Sequence, residues 1–277
     1  MKIAVIQQHA STDNQDNLTR GLNATVKAAE MGAKLAVFAE LAFTRFFPQN
    51  RTNEPVTHLS EKIPGPTTEA FMEKAKEHGM VIVINLFEEA DHKTYDSSPV
   101  IDADGALLGV TRMVHIADYD CFFEKDYYAP GDRGAPVYNT AVGKVGVAIC
   151  YDRHYPEFMR SLAVDGADLV VIPQAGTAGE WPNGLFEAEL RVASFQNGYY
   201  CALANRVGVE DKLEFSGESF VTNPAGEVIA QSPAGVDHIL MVDIDLDQVA
   251  SSHARKLFFR DRRPEVYPLH LKKYETD

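Results

Sequence analysis

Cysteine is scarce in this sequence, and long apolar runs are absent. The three cysteines, Cys121, Cys150 and Cys201, are odd in number and form no Cys-x-x-Cys pair. This usage argues against a disulfide framework or a zinc ribbon and favours a reducing compartment, so we expect a cytoplasmic protein. No window approaches the roughly 20 apolar residues of a membrane-spanning helix, and the first apolar stretch is too short for a signal peptide. We therefore expect no association with membranes.

Positive charge is also in short supply. The sequence has 26 Lys and Arg against 40 Asp and Glu, a formal net charge of −14, and contains no basic run. Such a charge repels phosphate backbones, so we expect no nucleic-acid partner. The motifs HExxH, GxSxG, GxGxxG and the P-loop are missing, and the nine histidines are scattered. We expect neither a metal nor a nucleotide cofactor.

The 277 residues that are present alternate between short β-rich runs and helical stretches. Helical periodicity occurs in four segments: residues 14–31, 68–78, 156–165 and 186–197. Strands are predicted between them: residues 2–7, 34–39, 81–87, 144–150, 169–173 and 199–204. Two turn sequences, Asp-Ala-Asp-Gly at 102–105 and Asn-Pro-Ala-Gly at 223–226, predict hairpins. Strands bounded by helices indicate an α/β fold.

An internal repeat refines this prediction. GAKLAVFAE at residues 32–40 resembles GADLVVIPQ at 166–174, and KIAVI at 2–6 resembles KVGVAI at 144–149. Both halves then follow the order strand, helix, Gly-Ala, strand, as a duplicated half-domain would. Two sheets packed face to face with helices outside would bury both halves, and no linker separates them. We expect a four-layer α-β-β-α sandwich built from two similar halves, forming a single domain over residues 1–277.

Cys150 is the first candidate for chemistry. It follows the strand at residues 145–149 and precedes a polar turn that contains Arg153. Helix N–H groups and Arg153 would favour the thiolate, which is the form that attacks carbonyl carbon. The alternative is an inert buried cysteine.

Two glutamates are further candidates. Glu40 lies inside an apolar run at a strand end, where burial would raise its carboxyl pKa and suit it to proton transfer near neutral pH. The alternative for Glu40 is a structural ion pair or a residue that reaches water. Glu124 lies in an aromatic-rich loop after His115 and could wall a small pocket; equally, Glu124 and Lys125 could form a solvated pair.

Together these segments resemble the carbon-nitrogen hydrolases of the nitrilase superfamily. The matching segments are Glu40 after a Val-Phe strand, RMVHI at 112–116, EKDYYAPGD at 124–132, VGVAICYDRHYPE at 145–157, Pro173, residues 191–197, ANR at 204–206 and DRRPE at 261–265. The resemblance covers nearly the whole chain, and the family's α-β-β-α sandwich agrees with the internal repeat.

The resemblance implies a hydrolysis of an amide or N-carbamoyl group through a cysteine thioester. Cys150 would be the nucleophile, Glu40 the general base, and Glu124 a second carboxylate that positions substrate or base. The Tyr151 backbone N–H would donate to the oxyanion. Family members commonly form dimers or larger homo-oligomers, and we place part of that surface on the helix at 156–165 with Phe158 and Met159.

One position departs from the family pattern, which usually reads Arg-Lys-x-His. The lysine, the third member of the family's catalytic triad, is replaced here by Met113. Losing one oxyanion donor typically costs roughly 100- to 1000-fold in rate. Either Arg112, His115 or Lys125 reaches the site instead, or the local loop is rearranged, or the protein is a catalytically impaired binding or scaffold protein.

Arg153 is a candidate for binding the substrate. In family members that act on N-carbamoyl amino acids an arginine follows the cysteine at this spacing, which implies a two-pronged contact with a substrate carboxylate. We expect a small carboxylate-bearing N-carbamoyl or amide substrate, with Tyr151 and His115 also lining its site. The alternatives are that Arg153 pairs with Asp152 or Glu157, and that the substrate is a small aliphatic amide or an N-carbamoyl amine.

Overall fold

A computed structural model describes residues 1–267 of the protein. Its strands are β1 (Lys2–Gln7), β2 (Leu35–Phe38), β3 (Val81–Val83), β4 (Leu86–Ala90), β5 (Lys93–Ile101), β6 (Leu107–Arg112), β7 (Val137–Thr140), β8 (Gly143–Val147), β9 (Leu169–Gln174), β10 (Tyr200–Asn205), β11 (Val207–Glu210), β12 (Leu213–Ser216), β13 (Phe220–Thr222), β14 (Val228–Gln231) and β15 (His238–Asp243). Its α-helices are α1 (Asn14–Glu30), α2 (Pro66–His78), α3 (Pro156–Val164), α4 (Leu185–Asn197) and α5 (Asp247–Ser251). The predicted helices and most predicted strands are confirmed to within a few residues.

The first half forms a seven-stranded sheet in the order β15-β1-β2-β3-β5-β4, with β6 paired to β5. β1, β2 and β3 are parallel, and the crossovers between them are α1 and α2. The Asp13 carboxylate caps α1 by accepting the N–H groups of Gln15 and Asp16. Gly79, in the left-handed conformation at φ +57°, ends α2 just before β3.

Side-chain alternation along β1 shows which layers the sheet separates. Ile3 and Val5 lie in the central apolar core, whereas Ala4 and Ile6 pack in the outer core with residues of α1 and α2. Successive strand residues point to opposite faces, so a strand that is apolar at every position must be covered on both sides. The helices cover one face of this sheet and the second sheet covers the other.

The second half repeats the arrangement. Its six strands are ordered β14-β13-β10-β9-β8-β7, with β8, β9 and β10 parallel. Residues of α3 and α4 pack on its outer face, while Val145, Val147 and Val171 join the central core. The four-layer sandwich and the order predicted from the internal repeat are thereby confirmed.

The structure differs from the sequence prediction at residues 81–87, which form two strands rather than one. The chain breaks at Asn85, whose side-chain Oδ1 accepts the Leu41 N–H at 2.7 Å. β15 was not predicted; it pairs antiparallel with β1 from Lys2 to Gln7 and completes the first sheet. The hairpin of β11 and β12 was likewise not predicted.

Candidate active site

Two strand ends of facing sheets bring Glu40 and Cys150 together. Glu40 lies two residues after β2, and Cys150 lies three residues after β8 at the start of a 3-10 turn, Cys150–His154. Backbone strain marks both places, because Leu41 and Cys150 have φ values of +45° and +42°. Non-glycine residues hold that conformation only where the surroundings enforce it, and such residues cluster at functional sites.

The Glu40 carboxyl is fully buried beside the Cys150 thiol, and within residues 1–267 neither of its oxygens has a hydrogen-bond partner. Burial raises the pKa of Glu40 to about 8, and the neighbouring Glu124 charge adds to the effect. Contacts with Asp96, Cys150 and Arg206 oppose the shift. The expectation of a raised pKa at Glu40 is confirmed, and its alternatives, an ion pair or exposure to water, do not describe this side chain.

Glu124 is fully buried as the first residue of the 3-10 turn Glu124–Asp126, and its Oε2 accepts the Ala117 N–H at 3.0 Å. Lys125 is exposed, so the two do not form a solvated pair. Burial and the nearby Asp96 charge raise the pKa of Glu124 well above its ordinary range. Glu124 therefore belongs to the same buried acidic cluster as Glu40.

The Cys150 thiol has the opposite tendency from the one predicted. Burial, and secondly the Glu40 charge, raise its pKa well above the ordinary value. Arg153 and a hydrogen bond from the Ala175 N–H oppose this shift but do not outweigh it. The raised pKa favours the thiol form, so a neighbouring base such as Glu40 is needed before the sulfur can act as a nucleophile.

Arg153 lies in the same 3-10 turn as Cys150, and its side chain is buried. Its Nη1 donates to the Cys150 carbonyl at 2.8 Å and to Gln174 Oε1 at 2.7 Å, and its Nε lies 3.4 Å from Glu189. Phe186 lies under the guanidinium group, 4.9 Å away. Nη2 is buried and, within residues 1–267, has no hydrogen-bond partner. The ion-pair partner is Glu189, not Asp152 or Glu157.

Met113 is fully buried in the central core, in the same cluster as Cys150. Two of the three candidate replacements for the missing lysine lie outside the site: one is bound in ion pairs and the other is exposed. Arg112 bonds Glu88 through Nε and Nη2, each at 2.8 Å, and Asp132 through Nη1 at 3.0 Å. Lys125 is exposed. Neither can supply a cation inside the site, so those two hypotheses are wrong.

His115, the third candidate, is held at the side of the site. Its Nδ1 lies 2.7 Å from Asp152 Oδ1, and its ring stacks on Tyr155 with centroids 3.5 Å apart. Asp152 is fully buried and also accepts the His115 backbone N–H at 3.0 Å. These contacts fix the imidazole in one orientation, directed to Asp152 rather than to the Cys150 sulfur.

Tyr151 offers both a backbone donor and an aromatic wall. Within residues 1–267 no acceptor is bonded to its N–H, which leaves that group available beside the sulfur. Its ring lies 6.3 Å from Tyr119, and Tyr119 in turn lies 6.3 Å from Trp181. The Tyr119 hydroxyl donates to Glu180 Oε1 at 2.6 Å. Tyr119 and Glu180 lie near the site, since the charges of Cys150 and Glu124 act on the pKa of Tyr119 and the charge of Glu180 on that of Glu124.

Sequence reasoning missed Asp96 and Asn85. Asp96 lies on β5, fully buried, and its Oδ1 accepts Asn85 Nδ2 at 2.5 Å. Its carboxyl contacts that of Glu40. The segment that contains Asp96 was not predicted as a strand, because its polar neighbours Ser97 and Ser98 concealed the burial of β5.

In the part of the chain that the structure describes, no cluster of three or more His, Cys, Asp and Glu has metal-binding geometry. Over the same residues no helix is both long and apolar enough to cross a bilayer.

Comparison with known proteins agrees with this geometry. The carbon-nitrogen hydrolase family model matches residues 2–254. N-carbamoylputrescine amidase of Solanum lycopersicum is 32% identical over 97% of this chain and 94% of its own length. Citrullinase of Francisella tularensis is 30% identical over 99% of both chains. The crystal structure of a carbon-nitrogen hydrolase from Helicobacter pylori superposes with a TM-score of 0.92 at 29% identity, covering 99% of each chain. The chain belongs to the carbon-nitrogen hydrolase family of the nitrilase superfamily and is a carbon-nitrogen hydrolase.

Proposed function

We propose that the protein hydrolyses the amide or N-carbamoyl group of a small substrate through a Cys150 thioester. The observation that carries the proposal is the buried contact between the Cys150 thiol and Glu40, a carboxyl whose pKa is raised to about 8. A base poised near the working pH is what proton abstraction from a buried thiol needs.

The reaction proceeds in two halves. Glu40 accepts the Cys150 proton as the sulfur bonds to the carbonyl carbon, and the carbonyl π pair moves onto oxygen. Glu40 returns that proton to the nitrogen, and the C–N bond breaks to release ammonia or an amine. Water then loses a proton to Glu40 and attacks the thioester carbon, and the C–S bond breaks as the sulfur regains its proton.

The Tyr151 N–H is our proposed donor to the oxyanion, because it has no acceptor within residues 1–267 and follows the nucleophile directly. Glu124 is proposed to position the substrate or Glu40. Its burial and its bond from Ala117 fix its place in the site, and its charge raises the Glu40 pKa. His115 is proposed to act at the wall of the substrate site.

A carboxylate on the substrate would be bound through Arg153. Within residues 1–267 Nη2 and Nε have no hydrogen-bond partner, but Nε lies 3.4 Å from Glu189 and Nη1 is bonded to Cys150 and Gln174, so Nη2 is the group that we propose for this contact. This supports a single-pronged contact rather than the two-pronged one that the sequence suggested.

An amine-bearing N-carbamoyl substrate is a second candidate, and Glu180 favours it. Glu180 accepts a hydrogen bond from Tyr119 and its charge influences the pKa of the nearby Glu124. The relatives named above are an N-carbamoylputrescine amidase and a citrullinase. The compound in the first name ends in an amine alone and supports this candidate, whereas citrulline carries both an amino group and a carboxylate and is compatible with either.

The deciding experiment compares the N-carbamoyl derivatives of putrescine and of γ-aminobutyrate, which share a carbon chain and differ in end charge. Ammonia release is measured for the wild type and for Cys150→Ala, Glu180→Gln and Arg153→Gln. If Glu180 binds an ammonium group, E180Q lowers kcat/KM for the putrescine compound about 10- to 100-fold and spares the other. If Arg153 binds a carboxylate, R153Q lowers the ratio for the γ-aminobutyrate compound instead.

Hydrolysis that is lost in C150A establishes a cysteine-dependent hydrolase. Failure of the wild type on both compounds and on a panel of simple amides overturns the proposed function and supports the impaired binding or scaffold reading that Met113 raised.

We also propose a homodimer or larger homo-oligomer. A groove of about 390 Å³ runs between α3 and α4, and apolar residues of α4 are exposed beside it: Leu185, Val192 and Phe195. Phe158 and Met159, predicted for this surface, are instead buried in the chain's own core. The face of α4 supports association better than the predicted residues of α3 do.

A cytoplasmic location is likewise proposed. It is supported by the three cysteines, all of which are free, including the half-buried Cys121. Fractionation of the source cells would test it.

A further inference from the structure

Four carboxyl oxygens in the centre of the site are buried without a hydrogen-bond partner within residues 1–267: Oδ2 of Asp96, both Oε atoms of Glu40 and Oε1 of Glu124. The Asp96 and Glu40 carboxyl groups nevertheless contact each other. Carboxylate oxygens only accept hydrogen bonds, so two of them in contact are stable only if one carries a proton.

No cation is available to neutralise this pair. The titratable and charged groups around it are Cys150, Glu124, Tyr128, Asp152 and Arg206. Arg206 is committed to the backbone carbonyls of Glu40 and Leu41 and to the Glu210 carboxylate. Two ionised carboxylates side by side in a dry site would cost far more than binding one proton.

The position of Asp96 relates it directly to the missing lysine. β5 and β6 pair antiparallel with Ser97 opposite Arg112, and the Met113 N–H continues the ladder by donating to the Asp96 carbonyl at 2.9 Å. Opposite residues in such a ladder direct their side chains to the same face. Met113 and Asp96 are therefore neighbours on the face that carries Glu40.

We propose that Asp96 is a protonated carboxylic acid that donates a hydrogen bond to Glu40, a positioning residue that takes over from the absent lysine the task of holding the base. Asn85 fixes the donor by bonding the other Asp96 oxygen, and Asn85 itself bonds the Leu41 N–H next to Glu40. Burial and the Glu40 contact also raise the pKa of Asp96 well above its ordinary range. The inference rests on the proposed role of Glu40 as base.

The proton stays on Asp96 throughout the reaction. In the reactive form of the pair Asp96 is the acid and Glu40 the carboxylate, with a net charge of −1. When Glu40 takes the Cys150 proton, both groups are neutral acids. The hydrogen bond from Asp96 stabilises the Glu40 carboxylate inside the protein, as the family's lysine would. Unlike a lysine, Asp96 brings no positive charge that could stabilise the oxyanion.

Infrared spectroscopy tests the proton directly and needs no substrate. At about pH 9, above the Glu40 pKa of about 8, the spectrum of the wild type minus that of Asp96→Asn should contain a protonated-carboxyl C=O stretch, because the subtraction cancels the bands of other buried acids such as Glu124. Met113→Lys should lose the same band, because the new cation lets Asp96 ionise. Asp132→Asn is the matched control: Asp132 is an ionised partner of Arg112, so its removal should leave the band unchanged. A difference spectrum of wild type minus D96N that lacks this band overturns the proposal.

The second readout is the pH dependence of Cys150 alkylation by iodoacetamide, followed by mass spectrometry. The thiol proton passes to Glu40 as the sulfur displaces iodide from the methylene carbon. D96N keeps an N–H donor to Glu40 and should retain the wild-type midpoint. Asp96→Ala loses the donor and should move the midpoint to higher pH by about one unit, and M113K should move it to lower pH.

Equal midpoints in D96A and D96N contradict the proposal, because a purely structural role for Asp96 would leave them equal. If the band and midpoints behave as expected while no substrate is hydrolysed, the proposed function fails and the role of Asp96 stands. If hydrolysis is found but the difference spectrum of wild type minus D96N lacks the band, the reverse holds.

Discussion

As the proposed base, Glu40 must be ionised before it can accept the Cys150 proton, and burial opposes that ionisation. With its pKa raised to about 8, only a minority of molecules hold the carboxylate at neutral pH. Because the active fraction grows as pH rises toward that value, kcat/KM should increase about tenfold per pH unit below it and level off above it. A pH–rate profile on any hydrolysed substrate measures this.

Glu40→Gln preserves the shape of the side chain and removes the base. It should lower kcat/KM about 100- to 10,000-fold and abolish the acid limb of the profile. Glu61→Gln is the control, since Glu61 also has a raised pKa from burial but lies outside the site. An E40Q enzyme with an intact acid limb would contradict the assignment of Glu40 as base.

At the scale of elements, one arginine from the second half holds the segment that follows β2. Arg206, just after β10, donates through Nη1 to the Glu40 carbonyl at 2.9 Å and through Nη2 to the Thr44 carbonyl at 3.0 Å. It also pairs with Glu210, whose Oε2 accepts the Phe46 N–H. The catalytic position of one sheet is thereby set by a side chain of the other.

Arg206→Met should destabilise the protein by about 3–5 kcal/mol, because it leaves the buried Glu210 charge with only the partly exposed Arg45 as an ion-pair partner. Denaturant unfolding followed by Trp181 fluorescence measures the loss. Arg45→Ala, which removes a partly exposed partner of Glu210 and Asp211, should cost no more than about 1 kcal/mol.

The double variant Arg206→Met, Glu210→Gln separates the charge from the geometry. It should recover part of the lost stability, since no unpaired charge remains, yet kcat should stay low because the Glu40 segment is still unsupported. Equal free energies of unfolding for R206M and R45A would contradict the role of Arg206 in holding the segment that follows β2.

At the scale of the whole molecule, the two halves share their edges as well as their core. β15 pairs with β1, and beyond it the Ile244 N–H donates to the Met1 carbonyl at 2.8 Å. We propose that residues 1–277 behave as one domain. Unfolding followed by Trp181 fluorescence, which reports the second half, should coincide with unfolding followed by far-ultraviolet circular dichroism. Two separated transitions would refute a single domain.

The proposed oligomer makes a separate prediction on the face of α4. Val192 is 52% exposed beside the groove, so Val192→Glu places a charge in the interface and should yield a monomer by light scattering at micromolar concentration. Val209→Glu introduces the same charge at a residue that is 76% exposed on β11 and should leave the assembly intact. A monomeric wild type under these conditions would contradict the proposed homo-oligomer.

The sequence alone determined the fold class, the duplicated order of strands and helices, and the strand ends that carry Glu40 and Cys150. These follow from local periodicity, from turn residues and from similar segments in both halves, all of which are features of the sequence itself. Only the tertiary structure decided how those ends are surrounded. It buried Arg153, paired Arg112 with Glu88, turned His115 toward Asp152, and placed Asp96 against Glu40. Desolvation and pairing depend on neighbours distant in sequence, so the charge state of the thiol and of the acidic cluster could not be predicted from the order of residues.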